Sequence, residues 1–147
     1  MSPLVVDASV VLKWYFTEAH ADLALRVVNY SGGIIVPESL ESQVGMVLWR
    51  RVKANEIRKD DAHRVLSNLR RLPLQRIPTQ ALAPAALEIA SVTSRTFMES
   101  LYFALAIREQ TRLVTADRWW YALLQTGPMK SHLRWIGDVA KELDQRG

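Results

Sequence analysis

The stretch MSPLVVDASVVLKWYF, residues 1–16, decides the fold of this chain. Leu4, Val5 and Val6 form a short apolar run without polar alternation, which is typical of a strand buried on both faces of a parallel sheet. Asp7 follows this run directly, at the carboxyl end of the strand, where open α/β sheets bind their ligands. The stretch therefore predicts a buried first strand with a carboxylate at a ligand-binding edge.

The same pattern recurs late in the chain, where the apolar run 113–116 leads directly into Asp117. Because the carboxyl ends of parallel strands meet at one edge of a sheet, Asp7 and Asp117 are predicted to share a pocket if their strands are neighbours. Each acid alone also suits the start of a helix, since its carboxylate can accept hydrogen bonds from backbone N–H groups. Only Asp7 and Asp117 together indicate a functional site.

Five short apolar runs predict strands; they lie near residues 4–6, 34–36, 74–77, 112–115 and 132–136. The segments between them have helical spacing, beginning with a short helix from about residue 8 to residue 16. Pro37 is predicted to open the third helix, and Asp60 or Asp61 to cap the fourth. Strands that alternate with helices indicate an α/β fold with a central parallel sheet covered on both faces.

Length and composition indicate one globular domain over residues 1–147, with a polar tail over 138–147 that is expected to fray. The sequence has no cysteine, which excludes disulfides and thiolate metal sites and agrees with a reducing cytoplasm. No apolar run is long enough to cross a membrane, and Asp7 and Lys13 make the first run a poor signal peptide. We therefore expect a cytoplasmic protein with no membrane partner.

A third acid, Glu99, stands at the start of the predicted helix FMESLYFALA, residues 97–106. Mg²⁺ takes hard oxygen ligands, and hydrolysis of a phosphodiester needs a cation that activates water and neutralises developing charge. Asp7, Glu99 and Asp117 could supply such ligands together. The alternative for Glu99 alone is a favourable interaction with the helix dipole.

Four segments in order resemble the PIN-domain family, specifically its toxin ribonucleases of the VapC type. LVVDASVVLKW, residues 4–14, is similar to the family's opening, in which an Asp follows the first strand. VPESLESQVGMVLWR, residues 36–50, resembles the second block, with a proline followed six residues later by an acid. FMESLYFALA and LVTADRWW, residues 113–120, resemble the third and fourth blocks. The resemblance implies a PIN-like three-layer α/β/α fold.

Carried over by residue, the family's metal and catalytic positions fall on Asp7, Gln43, Glu99 and Asp117. Three are acids, so the resemblance implies a metal held by Asp7, Glu99 and Asp117. Gln43 departs from the family pattern, because its amide can ligate a cation but brings no charge and is no base. Glu38 and Glu41 lie at the wrong spacing on the predicted helix to replace it.

Other polar residues have two interpretations each. Ser9 and Thr115 stand beside the acids, where they either orient a carboxylate or serve as a helix cap and a strand residue. The segment 50–76 is locally basic and either attracts a polyanion or is a solvated face. Four residues are candidates for binding RNA: Lys13, Arg50, Arg51 and Lys53. Trp119 and Trp120 cannot both face the core from one helix, so one is predicted to be exposed or covered by a partner.

The resemblance implies a Mg²⁺- or Mn²⁺-dependent endoribonuclease, the toxin of a type II toxin–antitoxin pair. It also implies a homodimer and a cognate antitoxin protein that blocks the acidic pocket. The alternative is a degenerate PIN domain that binds antitoxin or RNA without cutting, and Gln43 is the feature that favours it.

Overall fold

The computed structural model describes residues 2–146 and the side chains of residues 2–143. Its strands form one sheet, all in parallel pairs, in the order β3-β2-β1-β4-β5. The strands are β1 (Leu4–Val6), β2 (Ile34–Pro37), β3 (Leu74–Ile77), β4 (Leu113–Thr115) and β5 (Leu133–Trp135). The helices are α1 (Ala8–Leu12), α2 (Ala21–Val28), α3 (Leu40–Lys53), α4 (Lys59–Arg71), α5 (Thr79–Thr93), α6 (Phe97–Arg108), α7 (Arg118–Leu124) and α8 (Ile136–Arg146).

The first strand is the centre of the sheet, as its apolar run predicts. Val5 and Val6 are fully buried, with Val5 in register with Ile35 on one side and Leu113 on the other. From β1 the chain moves outward to β2 and β3, then returns to place β4 and β5 on the opposite side. The strand order therefore reverses between β1 and β4, and such a switch point is where ligands bind in open α/β sheets.

Helices cover the sheet and complete a three-layer α/β/α architecture, which confirms the predicted fold class. The helix α6 packs against β1, β2 and β4, and all seven residues from Ser100 to Ala106 are buried. The helix α8 packs against β4, β5 and α2. Within residues 2–146, no helix is both long and apolar enough to span a lipid bilayer.

Several predicted boundaries differ from the observed ones. Pro37 closes β2, in register with Ile77, and α3 begins only at Leu40, so the prediction that Pro37 opens a helix is wrong. The first helix ends at Leu12 instead of near residue 16. Arg58 is the N-cap of α4, so the prediction that Asp60 or Asp61 caps this helix is wrong. Asp61 lies inside the first turn and accepts a hydrogen bond from the Arg58 backbone at 3.4 Å.

The segment 138–147, for which the sequence predicts a frayed tail, falls largely within α8. Val139 and Ala140 are buried, so the beginning of this segment is packed against the domain. Gly147 lies outside the described residues.

Candidate active site

Two helices begin where β1 and β4 end, and each has an aspartate at its N-cap. Asp7 Oδ1 accepts a hydrogen bond from the Val10 backbone at 3.2 Å, and Asp117 Oδ1 accepts one from the Trp120 backbone at 2.9 Å. The two acids are therefore helix caps, as their positions alone suggest. Because β1 and β4 are paired neighbours, the two caps also lie at one edge of the sheet.

This edge holds a cleft of about 230 Å³ that brings all four predicted site residues together. Its lining includes Asp7, Ser9, Gln43, Glu99, Tyr102, Asp117, Trp119 and Trp120. Asp7 is buried at 8% exposure, Gln43 and Glu99 are half-buried, and Asp117 is exposed. The carboxylates thus form a gradient from a buried floor to an open rim.

Burial has an electrostatic consequence for Asp7. Desolvation raises the pKa of its carboxyl group above the ordinary value, because the charged form loses hydration. Hydrogen bonds from Ser9, Thr115 and the Val10 backbone oppose this effect but do not cancel it. A positive charge in the cleft would therefore favour the ionised form of Asp7.

Ser9 and Thr115 join the ends of β1 and β4 through a small hydrogen-bond network. Ser9 Oγ donates to Asp7 Oδ1 at 2.5 Å and accepts from the Ala116 backbone at 3.0 Å. Thr115 Oγ1 lies 3.4 Å from Ser9 Oγ and accepts from the Asp117 backbone at 3.1 Å. Both hydroxyl groups therefore help to position the two aspartates, beyond capping a helix or filling a strand.

We expect Ser9→Ala to lower the free energy of unfolding by about 1–3 kcal/mol, because it leaves the buried Ala116 N–H and the buried Asp7 carboxylate short of partners. Urea denaturation followed by circular dichroism measures this loss. The exposed Ser42→Ala on α3 is the matched control and should change stability by less than about 0.5 kcal/mol. Equal stability of the two variants would contradict a stabilising role for the network.

Glu99 is held from two sides. Its backbone N–H donates to Thr96 Oγ1 at 3.1 Å, so Thr96 caps α6. Its Oε2 accepts from Trp120 Nε1 at 3.1 Å, and the Trp120 ring packs on Phe103 with centroids 5.6 Å apart. Trp120 is 7% exposed and Trp119 is 71% exposed, which confirms that only one tryptophan faces the core.

Gln43 is held by Tyr102, whose hydroxyl donates to Gln43 Oε1. Burial, with a smaller contribution from the nearby Asp7 charge, raises the pKa of Tyr102 well above its ordinary value, so it remains a neutral donor. Sequence reasoning missed Tyr102 as a site residue. Its position three residues after Glu99, on the same face of a helix, was the available signal.

Comparison with known proteins agrees with the observed fold. The sequence pattern of the PIN domain family matches residues 4–123, which span β1 to most of α7. The chain belongs to the PIN domain family. Its fold is similar to the crystal structure of PAE2754 from Pyrobaculum aerophilum, with a TM-score of 0.66 and 20% sequence identity. That match covers 98% of this chain and 90% of the other. No curated protein sequence matches.

The side chains that line the cleft of this PIN domain carry the type of donor atom that a divalent cation prefers. Three carboxylates and one amide are hard oxygen donors, and Mg²⁺ is commonly held by one or two carboxylates with waters completing its shell. Within the described residues, however, no three acidic or histidine side chains gather closely enough to hold one ion. The donor set of the cleft still fits a divalent cation in kind, with waters completing its shell.

The neighbouring glutamates are engaged elsewhere, as their spacing predicts. Glu38 Oε1 accepts from the Thr79 backbone at 2.9 Å, and Glu41 pairs with Arg70 at 2.5 Å. Both line a separate groove beside the cleft. Neither glutamate lines the cleft that contains Gln43.

The predicted RNA-binding residues do not line the cleft. Lys13 and Arg51 both pair with Glu18, at 3.3 and 2.6 Å. Arg50 contacts the Met46 sulfur, and Lys53 lies over the Trp49 ring. Since Arg50 is seven residues beyond Gln43 on α3, it lies about 10 Å further along the helix. A role for these four residues in binding RNA stays a prediction.

Proposed function

We propose that this PIN domain is a Mg²⁺- or Mn²⁺-dependent endoribonuclease of the VapC toxin type. The observation that carries the proposal is the position of Asp7, Glu99 and Asp117, which line one cleft at the switch point between β1 and β4. Acids in this place are suited to holding a cation against a phosphodiester.

A divalent cation at the cleft would supply an activated water and would neutralise negative charge that develops on the phosphate. The chain contributes orientation. Ser9 and the Val10 backbone hold Asp7 at the floor of the cleft, and Trp120 holds Glu99 on its wall. Asp117 stands at the exposed rim, where a substrate enters, with Oδ1 accepting from the Trp120 backbone. Gln43 supplies a polar group without charge.

The second candidate function is binding of RNA or antitoxin without cleavage. It is favoured by the Gln43 carbonyl, which accepts from Tyr102 and adds no charge to the site. A site with three carboxylates attracts a cation less strongly than one with four, so the metal could be too weakly held for catalysis.

Cleavage of total cellular RNA by the purified protein separates the two functions. The assay compares added Mg²⁺, added Mn²⁺ and EDTA, and the nuclease proposal expects cutting only with a metal. If wild type cuts nothing under any condition while Gln43→Glu cuts with metal, the degenerate domain is the correct description. Cutting that persists in EDTA would contradict metal dependence.

The proposal includes partners: a homodimer, a cognate antitoxin and an RNA substrate, in the reducing cytoplasm that the absence of cysteine fits. Large apolar side chains are exposed on α3 (Met46, Trp49) and on α5 (Leu87, Val92). Their exposure supports the proposal that a protein partner covers these surfaces. We expect sedimentation of a dimer at micromolar concentration and of a larger complex with antitoxin. A monomer under both conditions would contradict this part of the proposal.

A further inference from the structure

The rim of the cleft carries an exposed indole. Trp119 is 71% exposed, the largest value among the exposed large apolar side chains of the described residues, and it lines the same cleft as Asp7, Glu99 and Asp117. Single exposed apolar side chains are common on protein surfaces, but one at the mouth of a candidate active site is placed to contact a ligand that enters the cleft.

The residues next to Trp119 in the sequence are held in place by packing and hydrogen bonds, so the backbone that carries the Trp119 indole is fixed. Asp117 caps the first turn of α7, and Trp120 packs on Phe103. Arg118 lies 4.6 Å from the centre of the Trp135 ring, and Tyr121 packs on the same ring. Within the described part of the chain, the Trp119 indole itself makes no hydrogen bond and no ring contact.

We propose that Trp119 stacks on an unpaired base of the substrate, next to the phosphodiester that would lie at the carboxylates of Asp7, Glu99 and Asp117. This inference rests on the proposed ribonuclease function and names its substrate class, single-stranded or looped RNA. Every base has a π-face, but the face is accessible only when the base is unstacked from its neighbours, so a continuous duplex would not fit.

Stacking on Trp119 would offset the repulsion between the acidic cleft and the phosphate of a nucleotide. Asp7, Glu99 and Asp117 repel a phosphate in the absence of metal, and stacking does not depend on charge, so Trp119 can hold a nucleotide despite that repulsion. The net charge of +4 on the chain also favours a polyanionic ligand at longer range. A second protein covering Trp119 is the alternative outcome of the test.

The test measures binding in EDTA, where the proposed cleavage does not proceed. A short fluorescein-labelled single-stranded oligoribonucleotide is titrated with protein and followed by fluorescence anisotropy, beside a duplex of the same sequence. We expect Trp119→Ala to weaken single-strand binding by about tenfold or more, and Trp119→Phe to retain most of the affinity. Leu25→Ala is the control, because Leu25 is 50% exposed on α2 and does not line the cleft.

Equal affinity of Trp119→Ala and Leu25→Ala would overturn the inference, as would wild type that binds no single strand or prefers the duplex. A change in sedimentation of Trp119→Ala would overturn it in favour of a protein interface. The proposed nuclease function fails separately. If wild type cleaves RNA with metal but Trp119→Ala binds RNA as well as wild type, only the stacking inference is contradicted. If binding depends on Trp119 but wild type does not cleave RNA, only the nuclease proposal is contradicted.

Discussion

Asp7→Asn is expected to lower metal-dependent RNA cleavage by about 10³-fold or more while leaving the domain folded. Removing the charge from the floor of the cleft weakens its attraction for a cation, and each ~1.4 kcal/mol lost from transition-state stabilisation costs a factor of ten. The asparagine oxygen can still accept from Ser9 Oγ and the Val10 backbone, so the cap of α1 is retained. Initial rates of cleavage of a labelled RNA with Mg²⁺ measure the effect.

The same substitution should not destabilise the metal-free protein, and this separates loss of chemistry from loss of fold. Burial raises the pKa of Asp7, which means that its ionised form is less favourable in the folded than in the unfolded chain. We therefore expect Asp7→Asn to be at least as stable as wild type in EDTA at neutral pH. Glu88→Gln, at an exposed position in the middle of α5, is the control for loss of a carboxylate and should alter neither stability nor cleavage.

If Asp7→Asn retains wild-type cleavage, Asp7 is only a helix cap and the proposed metal site is wrong. If Asp7→Asn unfolds, the cap of α1 or the hydrogen-bond network around Ser9 requires the carboxylate of Asp7. The cleavage rate is then measured on Glu99→Gln instead. Glu99 is half-buried and its backbone cap through Thr96 does not depend on its side chain, so that variant should fold.

Gln43→Glu is expected to tighten divalent binding by about tenfold or more and to raise any RNA cleavage. A fourth carboxylate adds charge beside Asp7, and the attraction between that charge and a divalent cation is worth several kcal/mol before desolvation is subtracted. Tyr102 remains a suitable donor, because its hydroxyl can donate to a carboxylate as to an amide. Isothermal titration with Mg²⁺ and Mn²⁺ measures the affinity.

The gain in affinity should come with a small loss of stability in the metal-free protein. Clustered carboxylates repel one another, and a bound cation relieves that repulsion. We expect Gln43→Glu to unfold at lower urea concentration than wild type in EDTA and to recover with metal. Gln80→Glu, an exposed change on α5, controls for added charge. Unchanged affinity and cleavage would mean that position 43 lies outside the metal site.

How much of this protein its sequence determines can be judged from particular elements. The run Leu4–Val6 followed by Asp7 and the run Leu113–Thr115 before Asp117 predict two buried strands with acids at their ends, and both are observed. This succeeds because burial on both faces requires uninterrupted apolar residues, a local property of the sequence. The position of Asp7, Gln43, Glu99 and Asp117 in one cleft follows from the family's block order and is also observed.

The contacts that orient those side chains were not predictable. Tyr102 reaches Gln43 across 59 residues of chain, and Ser9 reaches Ala116 across 107. The same limit applies to Trp119 and Trp120, since the sequence shows only that one of them is exposed. The sequence alone therefore determines the strands and the acids at their ends, because apolar runs and acidic residues are local features of the sequence. Only the tertiary structure decides the order of the strands in the sheet, which tryptophan faces the core and which donor holds each acid, because those choices depend on packing between residues far apart in the chain.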